Sequence, residues 1–270
     1  MQKMKLLGCL LFAAILSGCA SAPVFQASVP KTTNLSGFEL GRSPILDVTN
    51  HLIQHTNSGK DILYSQNFGG GGVALGLLGP LGVAANIGMI NSNTTKDAES
   101  IKDKITLSPK NIFSQVASKE LINGENSGKV KPQISPYIYL IKIDDEKILM
   151  AAGLIVDQSE DKWTGKYLYQ LAQSTTLKEI AKLDDEGMKR LEMAVADGYE
   201  KILKQIKSEQ IQTSQTGKQI LFKSSFFTPR IEIESIGMLI AKNDQVTWIR
   251  TNSGVFAVQN NFIKFNFAKP

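Results

Sequence analysis

The chain has 270 residues, a formal net charge of +5 and only two cysteines. With 42% hydrophobic and 20% charged residues, its composition is that of a folded protein and not of a disordered or collagen-like one. Two cysteines can build neither a disulfide framework nor a four-cysteine zinc site, so both classes are excluded. Both cysteines, Cys9 and Cys19, lie close to the N-terminus.

The first residues have the parts of an export signal. Lys3 and Lys5 form a short positive region, and residues 6–16 are an uninterrupted apolar run of 11. Crossing a bilayer takes about 20 residues, so this run is too short to span but has the length of a signal-peptide core. We therefore expect residues 1–18 to be a signal peptide.

The four residues that follow this core, Leu16, Ser17, Gly18 and Cys19, closely resemble the lipobox of bacterial lipoproteins. The resemblance covers residues 1–20 and implies that Cys19 carries a diacylglycerol, that cleavage occurs before it, and that its new amine is acylated too. In such lipoproteins the next residue sorts between membranes, and Ala20 in place of Asp implies the outer membrane, with the domain facing the periplasm. The alternative is an ordinary secretory signal with a coincidental cysteine.

The mature chain is predicted to have modest charge and a tether. Cleavage before Cys19 removes two lysines and lowers the charge from +5 to +3. That charge does not favour strong polyanion binding, and export argues against nucleic acid or nucleotides as partners. Residues 19–36 contain one charge and two prolines, which is typical of a flexible tether.

Residues 37–210 are predicted to form an α+β domain that begins with a helix-rich block. Ser43-Pro44 opens a predicted helix that carries Ile45, Val48, Leu52 and Ile53 on one face. A short strand is expected at residues 62–64. Two further helices are expected at 94–105 and 109–122, the second with Pro109 at its first position.

A polar loop at 123–136 precedes the second part of this domain. Three strands are predicted at residues 137–143, 147–156 and 165–172. The strongest helix pattern follows from Asp184 to Lys207, with apolar residues stepping by three or four. Its acids crowd the start and its lysines the end, and Asp197–Lys201 and Glu200–Lys204 are spaced as i,i+4 pairs.

Residues 217–270 are predicted to form an antiparallel β module, because the apolar period changes to two. Seven cations against three acids give this module an excess of four positive charges. Its aromatic residues are expected to lie in the core: Trp248, Phe256, Phe262, Phe265 and Phe267.

The most unusual segment is residues 68–90, in which Asn86 is the single polar side chain. No charged residue occurs between Asp61 and Lys96. A dinucleotide loop is disfavoured, because no acidic residue follows at the required distance. Two interpretations remain open: insertion into a membrane or close self-association, and an apolar hairpin buried against the domain's own sheet.

The glycines of this segment fit close helix packing. Gly72, Gly76, Gly79 and Gly82 step by four, three and three, which places them on one helical face. Pro80 argues against a straight helix through the whole segment and predicts a break at Gly79-Pro80. In layout alone, the chain resembles glycine-rich outer-membrane lipoproteins of the complement-resistance type.

No catalytic constellation is evident in the sequence. His51 and His55 stand four apart and would share a helix face, but the first is not followed by Glu and no third metal ligand is apparent. No G-x-S-x-G nucleophile elbow occurs. We therefore expect no catalytic residue, no metal and no cofactor beyond the acyl chains on Cys19.

The sequence favours a non-enzymatic, outer-membrane-anchored lipoprotein. It would organise or assemble the envelope through a protein partner or a homo-oligomer, using residues 68–90. The alternative is a periplasmic module whose basic residues 217–270 bind an anionic polymer such as peptidoglycan or lipopolysaccharide. A periplasmic hydrolase is a more distant possibility.

Overall fold

The computed structural model describes residues 35, 38–41, 53–66, 79–120, 131–158, 163–211, 217–229 and 233–268. These ranges contain helices and a large mixed sheet in separate blocks, which confirms the α+β class. The helices are α1 (Gly79–Ser100), α2 (Pro109–Glu120), α3 (Leu177–Ala181) and α4 (Asp185–Ile211). The strands are β1 (Glu39–Leu40), β2 (Ile53–His55), β3 (Ile62–Gln66), β4 (Gln133–Lys142), β5 (Ile148–Gln158), β6 (Trp163–Thr175), β7 (Lys218–Lys223), β8 (Ser235–Lys242), β9 (Val246–Thr251), β10 (Gly254–Gln259) and β11 (Lys264–Phe267).

The described strands form one mixed sheet. Its order is β11-β7-β8-β9-β10-β6-β5-β4-β3-β2, and β1 pairs with β4. The parallel pairing of β10 with β6 joins the C-terminal strands to the central meander. The predicted boundary between residues 37–210 and 217–270 therefore does not interrupt the sheet.

The central meander is confirmed as β4, β5 and β6, all longer than predicted. β4 begins within the predicted loop and contains Pro136. This proline falls between the residues of β4 that pair with β1 and those that pair with β3. Its missing N–H therefore removes no hydrogen bond along that edge.

The long helix is confirmed as α4. Its predicted apolar face is buried at Leu191, Val195, Tyr199, Ile202 and Ile206. The Asp184 carboxylate accepts a hydrogen bond from the Gly187 N–H at 2.8 Å, which caps the first turn. Both predicted i,i+4 ion pairs are present on its exposed face.

Apolar side chains cover both faces of the sheet. On one face α2 and α4 pack on the central strands, and the Tyr199 hydroxyl donates to the carbonyl of Tyr137 at 3.1 Å. On the other face an aromatic cluster packs on β10, where the ring centroids of Phe227 and Phe256 lie 4.7 Å apart. Gly153 allows the Tyr137 ring to lie on β5, because a Cβ there would be only 2.4 Å from it.

The predicted helix that includes Ile53 is wrong at its described end, where residues 53–55 form β2. Residues 42–52 lie outside the described ranges. β2 pairs antiparallel with β3, and the connection is a turn closed by Asn57. The Asn57 side-chain oxygen accepts from the N–H groups of Asp61 at 3.2 Å and Ile62 at 3.0 Å. These hydrogen bonds stabilise a turn between two strands, although the spacing of the apolar residues before it is that of a helix.

Two further predictions need correction. α1 begins at Gly79 and ends at Ser100, whereas the sequence predicted a helix at 94–105. The predicted break at Gly79-Pro80 is therefore a helix start, where proline removes no intrahelical bond. Among the predicted aromatic core residues, Trp248 and Phe256 are buried, but Phe267 is 56% exposed.

Burial of tyrosines predicts loss of stability in alkali. Burial is the largest cause of a raised pKa at Tyr64, Tyr137, Tyr139, Tyr167 and Tyr199. Above the ordinary pKa of about 10, the unfolded chain releases phenol protons that the folded chain retains. The free energy of unfolding should then fall by up to about 1.4 kcal/mol per pH unit for each such tyrosine.

Urea denaturation at pH 8, 9.5 and 10.5, with tyrosinate absorbance recorded in parallel, checks this prediction. Tyrosinate should form together with unfolding. Titration of these five tyrosines near pH 10 in a chain that stays folded would contradict it.

Candidate functional site

Several residues singled out in the sequence lie outside the described ranges. These are Leu16, Ser17, Gly18, Cys19, His51, Gly72 and Gly76. The described part of segment 68–90 is the first half of α1, residues 79–90, which includes Gly79, Pro80 and Gly82. We call residues 79–90 the apolar arm.

The C-terminal half of α1 is fixed to the sheet by polar contacts. The Asp97 carboxylate accepts hydrogen bonds from the Tyr64 hydroxyl at 2.9 Å and from the Lys142 ammonium at 2.7 Å. Tyr64 is fully buried, and the Lys142 and Asp97 side chains are 12% and 19% exposed. Burial and the nearby Asp97 charge raise the pKa of Tyr64, so its hydroxyl remains a donor. These contacts hold α1 against β3 and β4.

The direction of α1 follows from two contacts. The N–H of Asp103, just after the helix, donates to the carbonyl of Thr56 beside the start of β3. Asp97 instead contacts Lys142, the last residue of β4. At a rise of about 1.5 Å per residue, Ile87 lies about 15 Å further along the helix from Asp97. Asn91 still accepts a hydrogen bond from the Gln54 side chain of β2 at 3.5 Å, so α1 contacts the sheet at that residue and only the part of the helix before Ile90 is directed past it.

Two apolar side chains of the arm are exposed to solvent near the end of the sheet. Ile87 is 47% exposed and Met89 is 46% exposed, whereas Ile90 is buried. A Cβ added at Gly88 would meet no atom within 4 Å. The buried-hairpin interpretation of segment 68–90 therefore does not describe residues 87–89. Ile87 and Met89 were not singled out in the sequence, since exposure depends on where the sheet ends.

The chain enters the fold at the opposite end of β4. Leu35 is buried, and β1 pairs in parallel with Gln133 and Ile134 at the start of β4. Nine residue steps of about 3.3 Å separate Gln133 from Lys142, a distance of about 30 Å. The predicted tether and the apolar arm thus leave the sheet at opposite ends.

His55 does not stand on a helix, so the predicted helical pairing with His51 is wrong. It ends β2 as an exposed residue, and partial desolvation followed by the charge of Lys60 lowers its pKa. Among the described residues, no group of three or more metal-ligating side chains is present.

The positive charge of the C-terminal strands is partly used within the fold. Arg250 is 11% exposed in its side chain and is bonded to Glu209 at 2.8 Å. Lys223 and Lys264 lie directly opposite each other on β7 and β11, an arrangement that disfavours strand pairing. Fewer cations of residues 217–270 are therefore available to bind an anionic polymer than the charge of this segment predicted.

In the described part of the chain, no helix has the length and apolar character needed to span a bilayer. Comparison of the chain with protein-family models, with curated proteins and with solved structures finds no match.

Proposed function

We propose that this is a lipid-anchored protein of the bacterial cell envelope, attached to the outer membrane through Cys19 and facing the periplasm. It acts without catalysis, by binding a protein partner or a second copy of itself through residues 68–90. The observation that carries the proposal is the exposure of Ile87 and Met89 on a helix that continues past the sheet.

An apolar helix with Ile87 and Met89 exposed is stabilised when a contact covers it. No charged residue interrupts residues 62–95, so the arm lacks the polar face that keeps a surface helix soluble. Glycine also weakens an isolated helix by about 1 kcal/mol at each interior position relative to alanine. A contact that covers the arm would supply the stabilisation that the arm's own sequence lacks, and apolar surface of this kind marks interaction sites.

The position of the arm favours a protein partner over the anchoring membrane. From Cys19 to Leu35 the chain has 16 residue steps, which reach about 55 Å when fully extended. The arm lies about 30 Å of strand and about 15 Å of helix beyond the point where that chain enters the sheet. Contact between the arm and the anchoring membrane would therefore require the tether to span about 45 Å, which is about twice the r.m.s. end-to-end distance of a flexible chain of 16 residues.

Replacing Ile87 and Met89 together with serine is expected to remove at least about nine-tenths of the crosslinked complexes formed by the lipidated protein in membranes. Two buried apolar side chains contribute about 1.5 to 3 kcal/mol each to such a contact. The measurement is chemical crosslinking in whole membranes, followed by mass identification of the partner or of a second copy.

The matched control replaces Ile236 and Phe267 with serine, because these are 43% and 56% exposed on the C-terminal strands. Crosslinking should survive in the control. The proposal is overturned if both double variants crosslink like the parent, or if the parent forms no complex at all.

A further inference from the structure

A cleft of about 750 Å³ lies between the end of β6, α3 and the first turns of α4. Clefts that hold small ligands have about 300 to 1,000 Å³. Six of the side chains that line it are apolar, and we call them the apolar floor: Met150, Leu171, Leu183, Leu191, Met193 and Ala194. Met193 is 57% exposed, so the floor includes a large apolar side chain that the fold leaves uncovered.

The rim of the cleft is cationic. Lys178, Lys182 and Arg190 line it, and Arg190 is paired with Glu186 at 2.7 Å. Among the described residues, neither Lys178 nor Lys182 has an ion-pair partner. Two ammonium groups at the edge of the floor are thus left for an anion.

The two acids of the rim are already engaged in helix caps. Glu179 accepts the N–H of Thr176 at 2.8 Å in a capping box, and Asp184 caps α4 through the Gly187 N–H. These bonds hold the carboxylates on backbone donors. The two carboxylates are therefore weak competitors of a bound anion for Lys178 and Lys182.

We propose that this cleft binds a single-chain amphiphile with an anionic head, such as a long-chain fatty carboxylate. The alkyl chain lies on the apolar floor and the carboxylate meets Lys178 and Lys182. A neutral apolar segment would leave both lysines without a counter-ion, and a small inorganic anion would leave the floor bare. The cleft does not involve residues 68–90, so this inference does not depend on the proposed function.

Titration of the purified full chain with dodecanoate below its micellar concentration tests the proposal. Saturable one-to-one binding is expected, with an affinity about fifteenfold higher than for decanoate, because dodecanoate has two more methylenes and each buried methylene contributes about fourfold. Two matched probes are used: inorganic phosphate has no alkyl tail, and dodecyltrimethylammonium has the same tail with a positive head group. Neither should bind with an affinity comparable to that of dodecanoate. Equal binding of either probe, or dodecanoate binding that does not saturate, overturns the proposal.

Two sets of variants locate the site. Lys178→Gln with Lys182→Gln, and separately Met193→Asp, should each weaken dodecanoate binding at least about tenfold. Lys102→Gln with Lys104→Gln, and Phe267→Asp, change exposed residues outside the cleft and should leave the affinity for dodecanoate unchanged. Circular dichroism confirms that each variant folds. Unchanged affinity in the folded cleft variants, or an equal loss in the controls, contradicts this site.

Discussion

Replacing Glu209 with alanine is expected to lower the free energy of unfolding by about 3 to 5 kcal/mol. Glu209 lies near the end of α4, and its carboxylate is bonded to the Arg250 guanidinium of β9 at 2.8 Å. The two side chains are 6% and 11% exposed. Removing one partner leaves a buried charge without compensation. The Arg250 Nε already lacks a hydrogen-bond partner, so few groups nearby can replace the carboxylate.

Urea denaturation of the variant measures this effect, with Glu200→Ala as its control. Glu200 forms an ion pair with Lys204 on the exposed face of the same helix, where such pairs contribute at most about 1 kcal/mol. Replacing both Glu209 and Arg250 with apolar residues should restore much of the lost stability. A Glu209→Ala loss no larger than that of Glu200→Ala would show that the buried pair is not a stabilising contact.

The same pair shows why the sequence does not reveal that the strands of residues 217–270 extend the sheet of residues 37–210. In the linear chain, residues 212–216 separate a helix pattern from a strand pattern, which favours a boundary. In the fold, Arg250 reaches back to α4, and β10 pairs with β6. Both contacts join residues more than 40 positions apart. Local periodicity carries no information about such pairings.

Elements with strong local signals were predicted well. α4 has a consistent apolar face, acids at its start and i,i+4 pairs, and all three are present in the structure. β2 was missed because its three residues pair with β3 through an Asn57 turn, while the apolar spacing before it resembles a helix. A three-residue strand is too short to show a period of its own.

The candidate sites depended on tertiary information to different degrees. The arm was indicated by composition, since a run without charges is visible in the sequence. The exposure of Ile87 and Met89 required knowing that α1 passes the end of β4. The cleft was not predicted, because nothing in the sequence distinguishes Lys178 and Lys182 from other lysines. Only the fold brings them together with apolar side chains of β6 and α4 in one cleft.

Replacing Tyr199 with alanine is expected to cost about 3 to 5 kcal/mol of unfolding free energy, as for other large aromatic side chains. Tyr199 is fully buried between α4 and the sheet. Its ring lies 5.6 Å from that of Phe113 in an edge-to-face arrangement, and its hydroxyl donates to the Tyr137 carbonyl at 3.1 Å. Alanine would leave a cavity at the contact of α2, α4 and β4.

The companion variant Tyr199→Phe separates the ring from the hydroxyl and should cost only about 1 kcal/mol. Chemical denaturation of both variants gives the comparison. Equal losses would assign the stabilisation to the hydrogen bond instead of the ring. Phe113 also packs on Phe38, with ring centroids 5.4 Å apart, so the cavity would reach the segment through which the tether enters. Backbone hydrogen exchange in Tyr199→Ala should therefore become faster in α2 and β1. The amides of α1 should remain protected by the Asp97 contacts, because the two ends of β4 are held by separate sets of side chains.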